Sequence, residues 1–343
     1  MKARLAEVTR TVDEGLPVPD QRLTLGAYLE HWLAGLQGGG LKPASVAYYA
    51  SNIRLHVLTS DLSGKSLVRL EASDLRALYA KKLASGLSST SVHHLHAVLH
   101  LALNSAVEDG KVARNVAALI GRGSRPSVAR REMTTIADGD QPRRFIAAVQ
   151  GERLEALFVL AVTTGMRQGE LRALRWKDVH LDRETPVLSV VGSLEQATQN
   201  IGTPKSGKPR VVRLSELSRE ALRAHRQRQD TERRQLGPEY RDRGLVFTTL
   251  APGRFGEYAS IREMRGALSR ALTKAGLPAI RFHDLRHTAA SILMGGGAHP
   301  KVASEMLGHA SVGITLDLYS HVTQDMQQSA VDIMDRAFRE DKR

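Results

Sequence analysis

At 343 residues the chain exceeds one typical domain, and 42% hydrophobic residues suffice for real cores, which excludes a disordered protein. With no cysteine, a disulfide framework, a Cys-based zinc site and a thiol nucleophile are excluded, and a reducing cytoplasm fits. The net charge of +13, rich in arginine and spread along the chain, points to a polyanion such as nucleic acid; no apolar run is long enough to span a bilayer and no signal-peptide core is present.

In chain order, Met1 to about Val18 reads as a helix closed by Gly15 and followed by Pro17 and Pro19. From Leu23, LTLGAYLEHWLAGL has apolar residues at helical spacing, with Thr24 as N-cap. PASVAYYASNIRLHVL is a second helix opened by Pro43, and ASDLRALYAKKLAS a third with Ser73 as cap. SSTSVHHLHAVLHLALNSAVEDG, a fourth, ends at Gly110. Short polar loops between these four predict a bundle ending near Leu119. His96 and His100, four apart, lack a third ligand on their face, so a metal is not expected there. They and their neighbours His93 and His94 read instead as a polar side able to face DNA.

Residues 120–135 are rich in Gly, Ser, Pro and Arg and read as a basic linker. Beyond it, DGDQPRRFIAAV and ERLEALFVLAVTTG predict two helices, and MRQGELRALRWKDVHL a short helix running into a strand. VLSVVGSL and RVVRL predict strands flanking a Gly/Pro-rich loop that presents Lys205 and Lys208 at a hairpin-like tip. SELSREALRAHRQRQDTERRQ is a long charged helix; LVFTTL and EYASIREMRGALSRALTKAGL follow. The fold class expected is mainly α with a small antiparallel β-sheet in the second domain, beside an N-terminal helical bundle.

The last stretch, Arg281–Val322, concentrates the chemistry. His283 and Arg286 stand three apart on one helix face. Gly295–Gly297 ends that helix, Pro300 opens the next, and Gly308 stops it, leaving His309 in the turn. Ser311 is the cap expected for a short last helix carrying Tyr319. Cutting a phosphodiester without metal needs an in-line nucleophile, fixed donors for the non-bridging oxygens and an acid for the leaving oxygen. The acidic pair Asp138 and Asp140 lacks a matching third group, so neither a two-metal site nor a cofactor is expected. Arg286 and Arg167 suit the two non-bridging oxygens, with Glu170 orienting Arg167, while Trp176 packs the core. A tyrosine hydroxyl titrates near 10, so Tyr319 needs a base, which His283 can supply in the field of the arginines. His309 can donate to an oxygen, and Lys205, with Lys208 as rival, can protonate the leaving group.

TGMRQGELRALRWKDV, TPKSGKPR, HDLRHTAAS and LGHASVGITLDLYSHV resemble the signature boxes of the tyrosine recombinase (phage integrase) family, in family order, over Leu23 to Val322. The resemblance implies a helical core-binding domain and a catalytic domain that clamp DNA. It also implies attack by Tyr319 to give a 3′-phosphotyrosyl bond and a free 5′-hydroxyl, without metal or ATP. Arg167, Arg286 and His309 would hold the phosphate, Lys205 would be the general acid, and His283 the acid/base partner. Implied partners are double-stranded DNA at attachment core sites, further protomers, usually a tetramer on two sites, and accessory bending or directionality proteins, with no membrane. On this basis 1–20 is the remnant of an arm-binding connector, 21–119 the core-binding domain, 120–135 the linker, 136–325 the catalytic domain and 326–343 a tail for a neighbouring protomer. A cytoplasmic protein, nucleoid-associated when bound, acting for a mobile element is expected. The alternatives are an Xer-type resolvase, a type IB topoisomerase and a non-catalytic DNA-binding protein of the same fold.

Overall fold

A computed structural model of the chain describes residues 20–121, 133–195, 199–203 and 209–308, with Ser311 and Gly313. The first helix expected, from Met1, lies outside them. Two compact units divide between Arg131 and Glu132.

The first unit holds α1 (Leu25–Gly35), α2 (Pro43–His56), α3 (Ala72–Ala84) and α4 (Ser89–Glu108). Thr24 caps α1, its Oγ1 accepting the Ala27 N–H at 3.2 Å. The α1 stripe Leu25, Tyr28, Leu29, Trp32 and Leu33 is buried. Tyr28 Oη donates to the Ala102 carbonyl at 2.9 Å, fixing α1 against α4. Gly26 permits a close approach, since a Cβ there would fall 2.2 Å from Ser63 Oγ.

Two expectations fail in this unit. Glu71, not Ser73, caps α3: its N–H donates to the Asp74 carboxylate at 2.8 Å, and Ser73 lies inside the first turn. His96 is a core residue and not part of a polar side. It is 3% exposed and shares a 3.1 Å hydrogen bond with Tyr79 Oη. The reason is its position on the α4 face carrying Val92, Leu95, Leu99 and Leu103, where a ring hydrogen-bonded to buried Tyr79 is accommodated. His94 is exposed and His93 half-buried. The core of the unit extends to Ile120.

The second unit contains α5 (Gln141–Val149), α6 (Glu155–Thr164), α7 (Gln168–Ala173), α8 (Glu216–Leu236), α9 (Ile261–Ala275), α10 (Asp284–Gly295) and α11 (Pro300–Leu307). In α6 every residue from Ala156 to Val162 is buried, because the sequence offers no polar face there. It becomes the central helix, flanked by α8 and α10. Each fully buried Leu, Val or Phe contributes about 1.5–3 kcal/mol.

Strands β1 (Val179–His180), β2 (Val187–Val190) and β5 (Arg210–Arg213) form an antiparallel sheet in the order β1-β2-β5, with Leu188 opposite Val212, both buried. VLSVVGSL is not one strand. It breaks at Val191 and Gly192 into β2 and β3 (Ser193–Leu194), and β3 pairs with β4 (Ile201–Gly202) in a separate hairpin. Gly192 enables the break: a Cβ there would sit 2.6 Å from Ile201 Cγ2. Beside that pairing, Glu195 N–H donates to the Asn200 carbonyl at 2.9 Å. Lys205 and Lys208, expected at a hairpin-like tip, lie outside the described residues.

Candidate active site

The site is built around the C-terminal end of α11. Pro300 starts that helix at its first turn, and Gly308, at φ 71°, stops it in the left-handed region that glycine adopts freely. A helix end leaves carbonyls without intrahelical donors, and they carry the negative end of the helix dipole. Three arginines take them in succession. Arg210 Nε donates to Met306 O at 3.2 Å, Arg286 Nη1 to Leu307 O at 2.5 Å, and Arg167 Nη2 to Gly308 O at 2.8 Å. The expected phosphate ligands Arg167 and Arg286 are thus brought to adjacent carbonyls.

Each arginine is placed by a local feature of the sequence. Arg167 is the N-cap of α7 in extended conformation, just past Gly165, whose φ of 62° reverses the chain after α6. A Cβ on Gly165 would fall 2.1 Å from Leu307 Cδ2, so the glycine also lets α11 approach. Arg286 lies in the first turn of α10 and is 3% exposed. Its Nη1 also donates to Gly165 O at 2.7 Å, so it sits between the C-terminal ends of α6 and α11. Two dipole ends at one buried cation offset part of its desolvation.

Glu170 is the anchor beneath them, with a fully buried side chain. It accepts from the Arg167 backbone N–H at 2.9 Å and from Arg167 Nη1 at 3.0 Å. Arg210 grips the same carboxylate in a fork, Nη1 to Oε1 at 3.0 Å and Nη2 to Oε2 at 2.7 Å. Burial raises the Glu170 pKa, but the hydrogen bonds and charges of Arg210 and then Arg167 reverse this and hold it below the usual carboxylate value. Gly169 seats the first turn of α7 on β3, since a Cβ would come within 2.5 Å of Ser193 Oγ.

His283 stands at the start of α10, with its ring 5.0 Å from that of His287 and perpendicular to it. The protein packed around it, then His287 and Arg286, push its pKa down to about 4. Its accessible surface is nevertheless exposed, which screens part of that shift; either way the imidazole is neutral at pH 7 and able to accept a proton. Asp284 holds the turn, accepting from Arg281 N, Nε and Nη2 at 2.8, 3.0 and 2.7 Å.

Of the six residues singled out in the sequence, Arg167, His283 and Arg286 are gathered here. Lys205, His309 and Tyr319 lie outside the described residues, as does most of the last helix expected after Ser311. Glu170 orients Arg167 as expected. Trp176 packs against the core and donates to Gln229 Oε1 at 2.6 Å. Arg210 and His287 were missed. Arg210 is the one arginine of TPKSGKPR, and His287 stands four residues after His283, so both carried a signal of proximity but none of role. Among the described residues no group of three or more His, Asp or Glu is placed to hold a metal ion, and no helix is long and apolar enough to cross a membrane.

Residues 136–326 match the phage integrase family. A tyrosine recombinase XerC-like protein of Caldanaerobacter subterraneus subsp. tengcongensis is 28% identical over 353 residues, covering 98% of this chain and 89% of that protein. An integrase of Streptomyces ambofaciens is 29% identical over 350 residues, covering 98% and 86%. Among solved structures, the Tn1549 transposon integrase in complex with a circular intermediate DNA superposes with a TM-score of 0.74 at 20% identity, covering 90% of this chain and 99% of that one. A λ integrase tetramer bound to a Holliday junction gives 0.60 at 20% identity, over 85% and 79%. At that identity the structures speak for the fold alone. The family match spans more than half of the chain, and with it this protein belongs to the phage integrase family, the tyrosine recombinases.

Proposed function

We propose that this chain is a site-specific DNA recombinase that cuts and rejoins attachment core sites for the integration and excision of a mobile element. The observation that carries the reading is the convergence of Arg167 and Arg286 on the end of α11, with the neutral His283 beside them. Two guanidinium groups fixed by protein carbonyls form a preorganised site for the non-bridging oxygens of one phosphate.

The chemistry follows from that placement. Tyr319 Oη attacks the phosphorus, and its proton passes to the His283 imidazole. The P–O5′ bond breaks, and the departing 5′-oxygen takes a proton from Lys205, with Lys208 as the alternative donor. His309, next in sequence after Gly308, donates to a non-bridging oxygen. The bond energy is retained in the 3′-phosphotyrosyl linkage, and attack on it by the 5′-hydroxyl of a second strand rejoins DNA without metal or ATP. The 21–119 bundle is the core-binding domain, 136–325 the catalytic domain, and 326–343 the segment that meets a neighbouring protomer. The assembly is a tetramer on two DNA sites, with accessory bending or directionality proteins, in the cytoplasm and on the nucleoid.

A second reading, resolution of chromosome dimers, is favoured by the XerC-like relative. The two separate on substrate: an integrase joins two different attachment sites, whereas a resolvase recombines two copies of one host site. The function itself is tested with a nicked duplex carrying the core site, whose cut strand loses a short fragment that cannot religate. A covalent protein–DNA adduct is expected in EDTA and none with Tyr319→Phe; an adduct that persists in Tyr319→Phe overturns the reading.

A further inference from the structure

We propose that Arg210 is a positioning residue for cleavage: it acts through Glu170 to hold the Arg167 guanidinium against the scissile phosphate. The inference rests on the role given to Arg167 above. Arg210 is the first residue of β5, in the main sheet, whereas Arg167 heads α7, which is seated on the other hairpin. The two guanidinium groups share one fully buried carboxylate. Arg167 Nη1 and Arg210 Nη1 both donate to Oε1, each at 3.0 Å, while Arg210 Nη2 takes Oε2 at 2.7 Å.

Glu170 sits in a six-residue helix with little stiffness of its own, so its rotamer depends on what grips it. Arg167 alone is a poor restraint, because its side chain is the one to be positioned. The fork of Arg210 fixes the carboxylate plane, and a planar two-point grip is what a lysine cannot reproduce. Through Nε of the same guanidinium Arg210 is also tied to α11, at Met306 O, 3.2 Å away. Gly308 lets it lie there, since a Cβ at that residue would fall 2.8 Å from the guanidinium carbon. Arg210 therefore sets the distance between the carboxylate that aims Arg167 and the helix end that receives it. A catalytic group displaced by an ångström loses much of its effect on rate.

The test compares single-turnover cleavage of two nicked substrates, one with an ordinary scissile phosphate and one with a methylphosphonate there. The neutral methyl group removes one anionic oxygen, and with it much of the demand for guanidinium charge. Arg210→Lys is expected to slow cleavage of the phosphate substrate about 10- to 100-fold while slowing the methylphosphonate far less, with DNA affinity retained. Equal slowing on both substrates means a merely structural role and overturns the inference, as does no slowing on either. Glu170→Gln combined with Arg210→Met, which removes both buried charges together, is expected to give the same substrate-dependent loss and serves if Arg210→Lys does not fold. Arg167→Ala is the control. If it leaves the phosphate substrate unaffected, the proposed role of Arg167 falls; if it behaves as expected while the Arg210 variants do not, only this inference falls.

Discussion

Arg286 Nη1 donates to the carbonyl of Gly165, 121 residues earlier, at 2.7 Å, which puts a buried cation on the C-terminal end of the most apolar helix in the second unit. The same nitrogen reaches Leu307 at the end of α11. One side chain thus holds together two helix ends, and the segment that carries His309 and Tyr319 departs from one of them.

Gly165→Ala tests that junction. At φ 62° a Cβ costs about 1–2 kcal/mol. Contact with buried Leu307 adds overpacking of about 1–3 kcal/mol unless α11 moves away. A lowered unfolding temperature together with slower cleavage is expected. A variant as stable and as fast as the parent would show that α11 does not need this close approach.

Glu170→Ala removes the partner of two arginines at once. Loss of one member of a buried ion pair costs about 3–5 kcal/mol, and the arginine side chains here keep 19% and 11% of their surface exposed, which favours the lower end. Urea unfolding should report this loss, with Glu170→Gln losing less because an amide oxygen still accepts. A change in Glu170→Ala of under about 1 kcal/mol would mean that the shared carboxylate is not a structural anchor.

Stability should fall on mild acidification. His283 and His287 both titrate below their ordinary value of 6.5, so between that value and their folded values the unfolded chain binds more protons. Stability then rises with pH across the window from about 4 to about 6.5 and is lost as pH falls through it. Glu170 and Asp284, held low, add stability that disappears only at still lower pH, as it falls through their folded values. Urea midpoints at pH 7.5 and pH 5 measure the first effect, and His283→Gln should reduce it. A midpoint that is unchanged or higher at pH 5 would contradict the neutral-histidine account.

Binding should be strongly salt-dependent, since a chain of net charge +13 releases counterions from every phosphate it covers. For six to ten phosphate contacts, affinity is expected to fall about 10³- to 10⁵-fold between 50 and 200 mM salt. A nearly flat dependence would point away from phosphate-dominated binding.

Much of this was legible in the residues. Thr24, Pro43, Pro300 and Gly308 mark helix ends because capping geometry is local, and each stands where it was read. Arg167, His283 and Arg286 were singled out by residue type and spacing, and the fold brings them together. What stayed hidden depends on contacts distant in sequence. The fork of Arg210 on Glu170 spans 40 residues, and nothing near Arg210 marks it as the partner of that carboxylate. His96 looked polar by identity, but its side is decided by the helix stripe on which it falls. The break at Gly192 needed Ile201, nine residues on, to show why no side chain fits.

The central claim is that Tyr319 carries the DNA during exchange. The direct measurement is to trap the adduct on a nicked core-site substrate, digest both components and identify the modified peptide by mass spectrometry. The account predicts a single peptide bearing a 3′-phosphonucleotide on Tyr319, with a free 5′-hydroxyl on the released strand. Attachment at any other residue, or cleavage that leaves a free 3′-phosphate and no linked peptide, would contradict it.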